Sequence, residues 1–259
     1  MAEPSRSGQS LEARRAIVTG GGSGIGAELV AQLVQGGAKV LAIDLDASSL
    51  EAVAAATGAS TMVVDVADGE GANTAMVAEA VAALGGVDLV FLNAGILGRP
   101  IVDQGSPYTV ADLDAARYRA VAAVNIDGVV FGTLAAAASM SGGAIVATAS
   151  AAGLVPWAPD PFYTATKHAV VGWVRAIAPA LATQGITIDA ICPGGVATPL
   201  VGASAADAAD RPNLLAPAQV AEAMIATALE PGTGRAVSVV AGRDQVRQEH
   251  RFGDIPGFG

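Results

Sequence analysis

Short apolar runs alternate with alanine-rich stretches of helical period along this chain, and that alternation limits its fold more than any other feature. The runs fall at 16–19, 39–43, 61–64, 87–92, 144–148, 187–191 and 236–240. Helical stretches lie near 24–36, 47–57, 69–84, 109–140, 161–184 and 217–230. Strands that are apolar almost throughout are buried on both faces, and crossover helices join strands that run parallel. The expected fold is α/β, a doubly wound parallel sheet of about seven strands with helices on both faces. No linker, repeat or low-complexity segment divides the chain. One domain is expected over 14–242, flanked by a polar tail at 1–13 and an irregular tail at 243–259.

Composition narrows the class of partner. With 259 residues the chain can bury a sizeable core, and 52% apolar against 15% charged residues puts much of it in an interior or a subunit interface. A net charge of −10 argues against a nucleic-acid or anionic-membrane surface. A single cysteine, Cys192, excludes an intrachain disulfide and fits a reducing compartment. The N-terminus carries no signal-like apolar core, and the apolar stretch 120–140 is interrupted by Asn125, Asp127 and two glycines. A cytoplasmic protein with no membrane partner is expected. His168 and His250 lack companions at metal-ligand spacing, so no metal site is expected.

A glycine-rich turn follows the first strand and opens the first helix: Thr19-Gly20-Gly21-Gly22-Ser23-Gly24-Ile25-Gly26. In that context glycines let the backbone approach a pyrophosphate, which then sits on the helix N-terminus. Glycines also serve plain strand–helix connections, and Asp44 helps to separate the two. It ends the second strand, where a carboxylate accepts hydrogen bonds from an adenosine ribose. A carboxylate there repels a 2′-phosphate, and Leu45 and Asp46 bring no compensating cation. NAD is favoured over NADP. Asp46 is the better candidate for capping the next helix.

Tyr163 and Lys167 stand four residues apart, on one face of a helix and one turn from each other. A free tyrosine has a pKa near ~10, and an ammonium one turn away is expected to favour the phenolate. Ser150 ends an apolar run thirteen residues earlier and is placed to hold a substrate oxygen beside the tyrosine.

These elements, taken in order, resemble the short-chain dehydrogenase/reductase family in its compact single-domain form, over roughly residues 14 to 242. The family's Thr-Gly-x3-Gly-x-Gly turn matches 19–26, and its Asn-Ala-Gly element matches Asn93-Ala94-Gly95. Its catalytic asparagine falls on Asn125, its serine on Ser150 and its Tyr-x3-Lys pair on Tyr163 and Lys167. Its Pro-Gly loop falls on Pro193-Gly194-Gly195-Val196-Ala197-Thr198. The resemblance implies a Rossmann-type fold, NAD as cofactor, and hydride transfer to or from a carbon bearing a hydroxyl or carbonyl. It implies Tyr163 as general acid/base, Ser150 on the substrate oxygen, and Lys167 on the nicotinamide ribose. Asn125 would hold a water linking Lys167 to solvent. Asp65 and Val66 would meet the adenine, Asn93 would steady the central strands, and Pro193, Gly194, Val196 and Thr198 would lie along the nicotinamide. Leu92 replaces the family's more common asparagine, and Ala149-Ser150 its Ser-Ser pair. Thr166-Lys167-His168 and Ala190-Ile191-Cys192-Pro193 add a local likeness to the 15-hydroxyprostaglandin dehydrogenase branch.

Three segments, 95–107, 151–162 and 199–215, are expected to wall the substrate pocket. They contain Ile96, Leu97, Leu154, Val155, Trp157, Phe162, Leu200, Val201, Leu214 and Leu215, with Arg99 and Arg211 as the cations. Such a lining suits a hydrophobic secondary alcohol or ketone, such as a terpenoid, steroid or fatty acyl derivative. Small residues along the long helices suit close packing between subunits, and the resemblance implies a homotetramer or homodimer. For the tail, with Phe252, Ile255, Pro256 and Phe258, a crossing onto a neighbouring subunit and disorder both stay open. Two other classes of function stay open as well: an NAD-retaining isomerase or epimerase, and a non-catalytic cofactor sensor.

Overall fold

A computed structural model of the chain describes residues 10–99, 108–202, 213–242 and 247–250. The strands are β1 (Arg15–Thr19), β2 (Lys39–Asp44), β3 (Ser60–Val63), β4 (Leu89–Leu92), β5 (Gly143–Thr148), β6 (Ile186–Pro193), β7 (Ala236–Val239) and β8 (Arg247–His250). They form one sheet in the order β3-β2-β1-β4-β5-β6-β7-β8. The first seven pair in parallel, and β8 pairs antiparallel with β7. The α/β class and doubly wound topology stand as expected, with eight strands instead of seven.

The eighth strand corrects the expected irregular tail. Its sequence, Arg247-Gln248-Glu249-His250, has no apolar alternation, so it gives no strand signal. Backbone pairing to β7 and polar ties hold it instead. Arg247 donates to Glu230 at 2.8 and 2.6 Å and to the Thr227 hydroxyl at 3.0 Å. His250 Nε2 lies 2.7 Å from Ser238 Oγ. Phe252, Ile255, Pro256 and Phe258 lie outside the described residues, as do positions 1–9, 100–107, 203–212 and 243–246.

Alternation along each strand divides the core in two. Ile17, Val90, Leu92, Ile145 and Ala147 face one layer, while Ala16, Val18, Leu89, Phe91, Ala144 and Val146 face the other. The first layer is completed by α3 (Gly69–Leu84), α5 (Gly128–Ser139) and α6 (Pro161–Ala182). The second is completed by α1 (Gly24–Gln35), α2 (Ala47–Thr57) and α7 (Pro217–Leu229). Apolar side chains on both faces of every central strand are what a sheet covered on both sides requires.

The expected helix at 109–140 is not continuous. A short 3₁₀ turn (Val110–Asp112) precedes α4 (Ala115–Ala122), and five residues of π-helix (Ala123–Asp127) separate α4 from α5. Single π turns within α-helices cluster at functional sites, and this one carries Asn125. By length and mean hydropathy the stretch Ala115–Ser139 would pass as a membrane span. Here it packs on α3 and α6, with Val121, Asn125, Val129, Gly132 and Ala136 buried.

Candidate active site

β1 lies between β2 and β4, so the chain leaves it toward opposite edges of the sheet. Ligands of doubly wound folds bind at such a switch point, beyond the carboxyl ends of the strands. The candidate residues follow those ends: Gly20 after β1, Asp44 closing β2, Asp65 after β3, Asn93 after β4, Ser150 after β5 and Gly194 after β6.

The glycine turn is shaped for a close ligand. Gly20 and Gly24 have φ of +62° and +52°, which L side chains rarely adopt. A Cβ at Gly26 would collide with the Gly20 carbonyl, so the first turn of α1 can press on the loop only as glycine. Ser23 precedes α1 without a side-chain capping bond, and no acidic residue occupies the helix's first turn. The helix N-terminus thus keeps its amide donors and its favourable field for an anion. Asp44 Oδ2 accepts from the Gly22 N–H at 2.9 Å, which ties the loop to the end of β2. Asp46 caps α2 as expected, accepting from the Ser48 N–H at 3.0 Å.

Asn93 knits the central strands. Its N–H and that of Ala94 donate to the Thr19 hydroxyl at 3.0 and 3.2 Å, and its Nδ2 reaches the Gly20 carbonyl at 3.3 Å. The Thr148 hydroxyl donates to Asn93 Oδ1 at 3.1 Å. One side chain therefore joins the ends of β1, β4 and β5. Thr19 and Thr148 are members that the sequence reading left without a role. Their signal is a threonine closing a strand that leads into a candidate loop.

Tyr163 and Lys167 lie on α6, both buried. Lys167 Nζ donates to the Thr148 carbonyl at 2.8 Å and lies 5.4 Å from the centroid of the Tyr163 ring. Burial pushes Tyr163 up to about 12, against a hydrogen bond with Ser150 that pulls it down. Burial brings Lys167 down to about 8. Burial of the phenol leads the causes that raise Tyr163 and Lys167 is not among them, so the expected depression by Lys167 is not seen in the protein alone. The Ser150 hydroxyl accepts from the Ala152 N–H at 3.1 Å and donates to the Pro193 carbonyl at 3.4 Å.

Asn125 is fully buried behind this group. Its Oδ1 accepts from the Ile96 N–H at 2.8 Å, and its Nδ2 donates to the Ile96 carbonyl at 2.9 Å and Thr166 Oγ1 at 3.1 Å. Both amide hydrogens are thus committed within the protein, and the side chain's visible work is to fix the loop after β4.

One cavity of about 550 Å³ joins these parts. Its lining includes Gly20, Ser23, Gly24, Ile25, Asp44, Asp65, Val66, Asn93, Ala94, Gly95, Ser150, Tyr163, Lys167, Pro193, Gly194, Val196 and Thr198. Gly22, Gly26 and Asn125 support it from behind. The cradle has room and chemistry for a dinucleotide: the glycine turn and open helix end would take its phosphates and Asp44 would face a ribose. Of the expected apolar wall, Ile96, Leu97, Val155, Trp157, Leu200 and Val201 do line the cavity. Leu154 and Leu215 pack into the two core layers instead, Phe162 stacks with Tyr118, and Leu214 lies against Gly195. Arg211 lies outside the described residues.

The sequence reading also passed over Asp160. It is fully buried, and it caps α6 by accepting from the Tyr163 N–H at 3.0 Å. Asp160-Pro161 is a helix-start signal, since aspartate suits the cap and proline the first helical position.

The model of the short chain dehydrogenase family matches residues 14–209. A 2,5-dichloro-2,5-cyclohexadiene-1,4-diol dehydrogenase of Sphingobium indicum is 39% identical over 197 residues, covering 74% of this chain and 76% of the relative. A 3-ketoacyl-(acyl-carrier-protein) reductase from Brucella melitensis, solved with NADH, superposes with a TM-score of 0.79 at 29% identity, covering 91% of this chain and 100% of its own. A Burkholderia cenocepacia short chain dehydrogenase, solved with NADP, superposes with a TM-score of 0.74 at 30% identity, covering 89% of this chain and 97% of its own. The chain belongs to the short-chain dehydrogenase/reductase family. It is an oxidoreductase of the class that acts on CH–OH groups with a nicotinamide cofactor.

Proposed function

We propose that the protein is an NAD-dependent dehydrogenase of hydrophobic secondary alcohols, or a reductase of the matching ketones, with Tyr163 as general acid/base. The observation that carries this reading is the continuous cavity that has the nucleotide turn, Asp44 and the Ser150–Tyr163–Lys167 group in its walls. The nicotinamide, when bound, supplies the hydride acceptor or donor. In the oxidation direction the carbinol hydrogen leaves as hydride, the Tyr163 phenolate takes the hydroxyl proton, and the C–O bond becomes a carbonyl. Ser150 hydrogen-bonds the same oxygen and steadies the charge that develops there. Lys167 holds positive charge beneath the tyrosine ring and binds the nicotinamide ribose. Asn125 keeps Ile96 and Gly95 in place beside both groups.

NAD over NADP rests on Asp44, whose carboxylate closes β2 next to Leu45 and Asp46. A 2′-phosphate at that position would meet like charge, and neither Leu45 nor Asp46 brings a compensating cation. The preference for an apolar substrate rests on Leu97, Val155, Trp157, Leu200 and Val201 around the catalytic side of the cavity. The likeness to a cyclohexadiene-diol dehydrogenase is consistent with a cyclic alcohol. Initial rates of NAD and NADP reduction with a panel of hydrophobic secondary alcohols test the reading. Turnover with NAD, falling as hydroxyl or charged groups are added to the substrate, is expected. Equal rates with NADP, or a preference for polyols, would contradict it.

A further inference from the structure

We propose that Asp160 is a positioning residue for the reaction: its buried carboxylate locks the loop after β4 to the first turn of α6 and so sets where Tyr163 stands. The proposal rests on the reading of Tyr163 as acid/base and adds a residue to it. Asp160 is 0% exposed. Its Oδ1 accepts from the Tyr163 N–H at 3.0 Å, while Oδ2 accepts from the N–H groups of Gly98 at 2.6 Å and Arg99 at 2.9 Å. An ordinary cap serves only its own helix. Asp46 and Asp114 do that, and their bonds are solvent-exposed. Asp160 instead spans 62 positions of sequence to reach Gly98. Removing a carboxylate from water is costly, and three main-chain donors offset that cost only while both segments stay in place.

The segments it joins are the ones that flank the reacting group. Asn125 holds the loop at Ile96, and Asp160 holds it at Gly98 and Arg99. Leu97, between those two anchors, is buried against Tyr163 and Ala152, with Trp157 packed beside them. Trp157 meets the Tyr163 ring edge-on at 5.8 Å between centroids. The loop therefore presses one face of the tyrosine while the cap fixes its backbone. Arg117 donates to the Gly98 and Leu97 carbonyls, and Arg99 to the Pro159 carbonyl at 2.8 Å, bracing the same junction. Gly98 has no room for a side chain, because a Cβ there would strike Asp160 Oδ1. The junction thus needs a carboxylate on one side and a glycine on the other.

The charge also has a signature of its own. Tyr163 is faced by Lys167 from its own helix, Ser150 after β5, Cys192 from β6 and Asp160 from the helix start. Asp160's negative charge disfavours the phenolate, so its removal should ease the ionisation of Tyr163.

The test uses the NAD-saturated protein and three variants: Asp160→Asn, Asp160→Glu and Gly98→Ala. It reads kcat for alcohol oxidation, NADH affinity, and the tyrosinate absorbance titration of Tyr163 taken against Tyr163→Phe. Asp160→Asn is expected to lose about tenfold or more in kcat, with NADH affinity within about twofold of wild type. Its Tyr163 midpoint should fall below that of wild type. Asp160→Glu and Gly98→Ala, which keep the charge but spoil the junction, should lose kcat without that fall. Wild-type kcat and an unmoved midpoint in Asp160→Asn would reduce Asp160 to a helix cap and overturn the proposal. Failure of the acid/base reading looks different: turnover would survive in Tyr163→Phe, while Asp160→Asn would still lower the Tyr163 midpoint.

Discussion

Lys167 Nζ sits 5.4 Å from the centroid of the Tyr163 ring, with a 2.8 Å hydrogen bond to the Thr148 carbonyl. Two ionisable groups are thus buried side by side, and burial moves them in opposite directions, Tyr163 up to about 12 and Lys167 down to about 8. Each neutral form is the one the interior favours. The protein alone therefore holds a neutral phenol over a readily deprotonated amine. A bound ligand that supplies hydrogen-bond acceptors to Lys167 would hold its charge to higher pH and, through it, favour the phenolate.

That arrangement predicts a pH dependence of stability. Lys167's folded value lies below its ordinary 10.5, so between about 8 and 10.5 the unfolded chain holds a proton that the folded chain has shed. Stability from this group therefore rises with pH across that window and is lost as pH falls through it. Denaturant unfolding of wild type and Lys167→Met should show the wild type gaining on the variant from pH 8 to 10.5, by at most about 3 kcal/mol. A constant difference would contradict the burial of the Lys167 amine.

Asp44 should control cofactor choice. Asp44→Ala is expected to narrow the ratio of kcat/KM for NAD over NADP by about tenfold to a hundredfold, the range of one charge-assisted hydrogen bond plus relieved repulsion. Because Asp44 also accepts from the Gly22 N–H, some loss of NADH affinity should accompany the change. An unaltered ratio would move selection to another part of the cavity.

Two glycines should respond oppositely to alanine. Gly26→Ala drives a methyl into the Gly20 carbonyl, and thermal melting should fall by several degrees with loss of NADH binding. Gly71 lies in α3, and a Cβ there meets nothing within 4 Å. Gly71→Ala should be neutral or stabilising by about 0.5–1 kcal/mol. Equal effects at the two positions would contradict the packing of the nucleotide turn.

The Arg235–Asp189 pair should matter to the fold without touching the site. Asp189 is 2% exposed, Arg235 Nη2 lies 2.9 Å from its Oδ2, and the same guanidinium reaches the Thr227 carbonyl at 3.0 Å. Arg235→Ala leaves a buried carboxylate without its cation, and should cost about 3–5 kcal/mol in denaturant unfolding. A cost below about 1 kcal/mol would show that water replaces the arginine.

The first seven strands and the nucleotide turn were legible because each rests on a local signal: an apolar run, or glycines between a strand and a helix. Tyr163, Lys167 and Ser150 were legible by spacing and by family resemblance. What the sequence concealed depends on long-range polar contacts. β8 is charged and held by Glu230 and Ser238, so periodicity says nothing of it. The π-helical turn at Ala123–Asp127 hides because the backbone stays helical on both sides of it. Asp160 reads as a cap, and its second role appears only once Gly98, 62 positions away, is folded against it. The rise of Tyr163 was concealed for another reason, since burial cannot be read from a four-residue spacing. Four of the ten residues expected in the apolar wall lie elsewhere, because Leu154 and Leu215 are equally good core residues and Phe162 and Leu214 find partners of their own.

The most direct test of the central claim is single-turnover NAD reduction by Tyr163→Phe beside wild type, with the best secondary alcohol and with NADH affinity measured on both proteins. The account predicts a fall in rate of about 10²–10⁴-fold with NADH affinity unchanged, as befits the loss of a positioned proton acceptor. A variant that keeps its rate would contradict the assignment of Tyr163 as the acid/base.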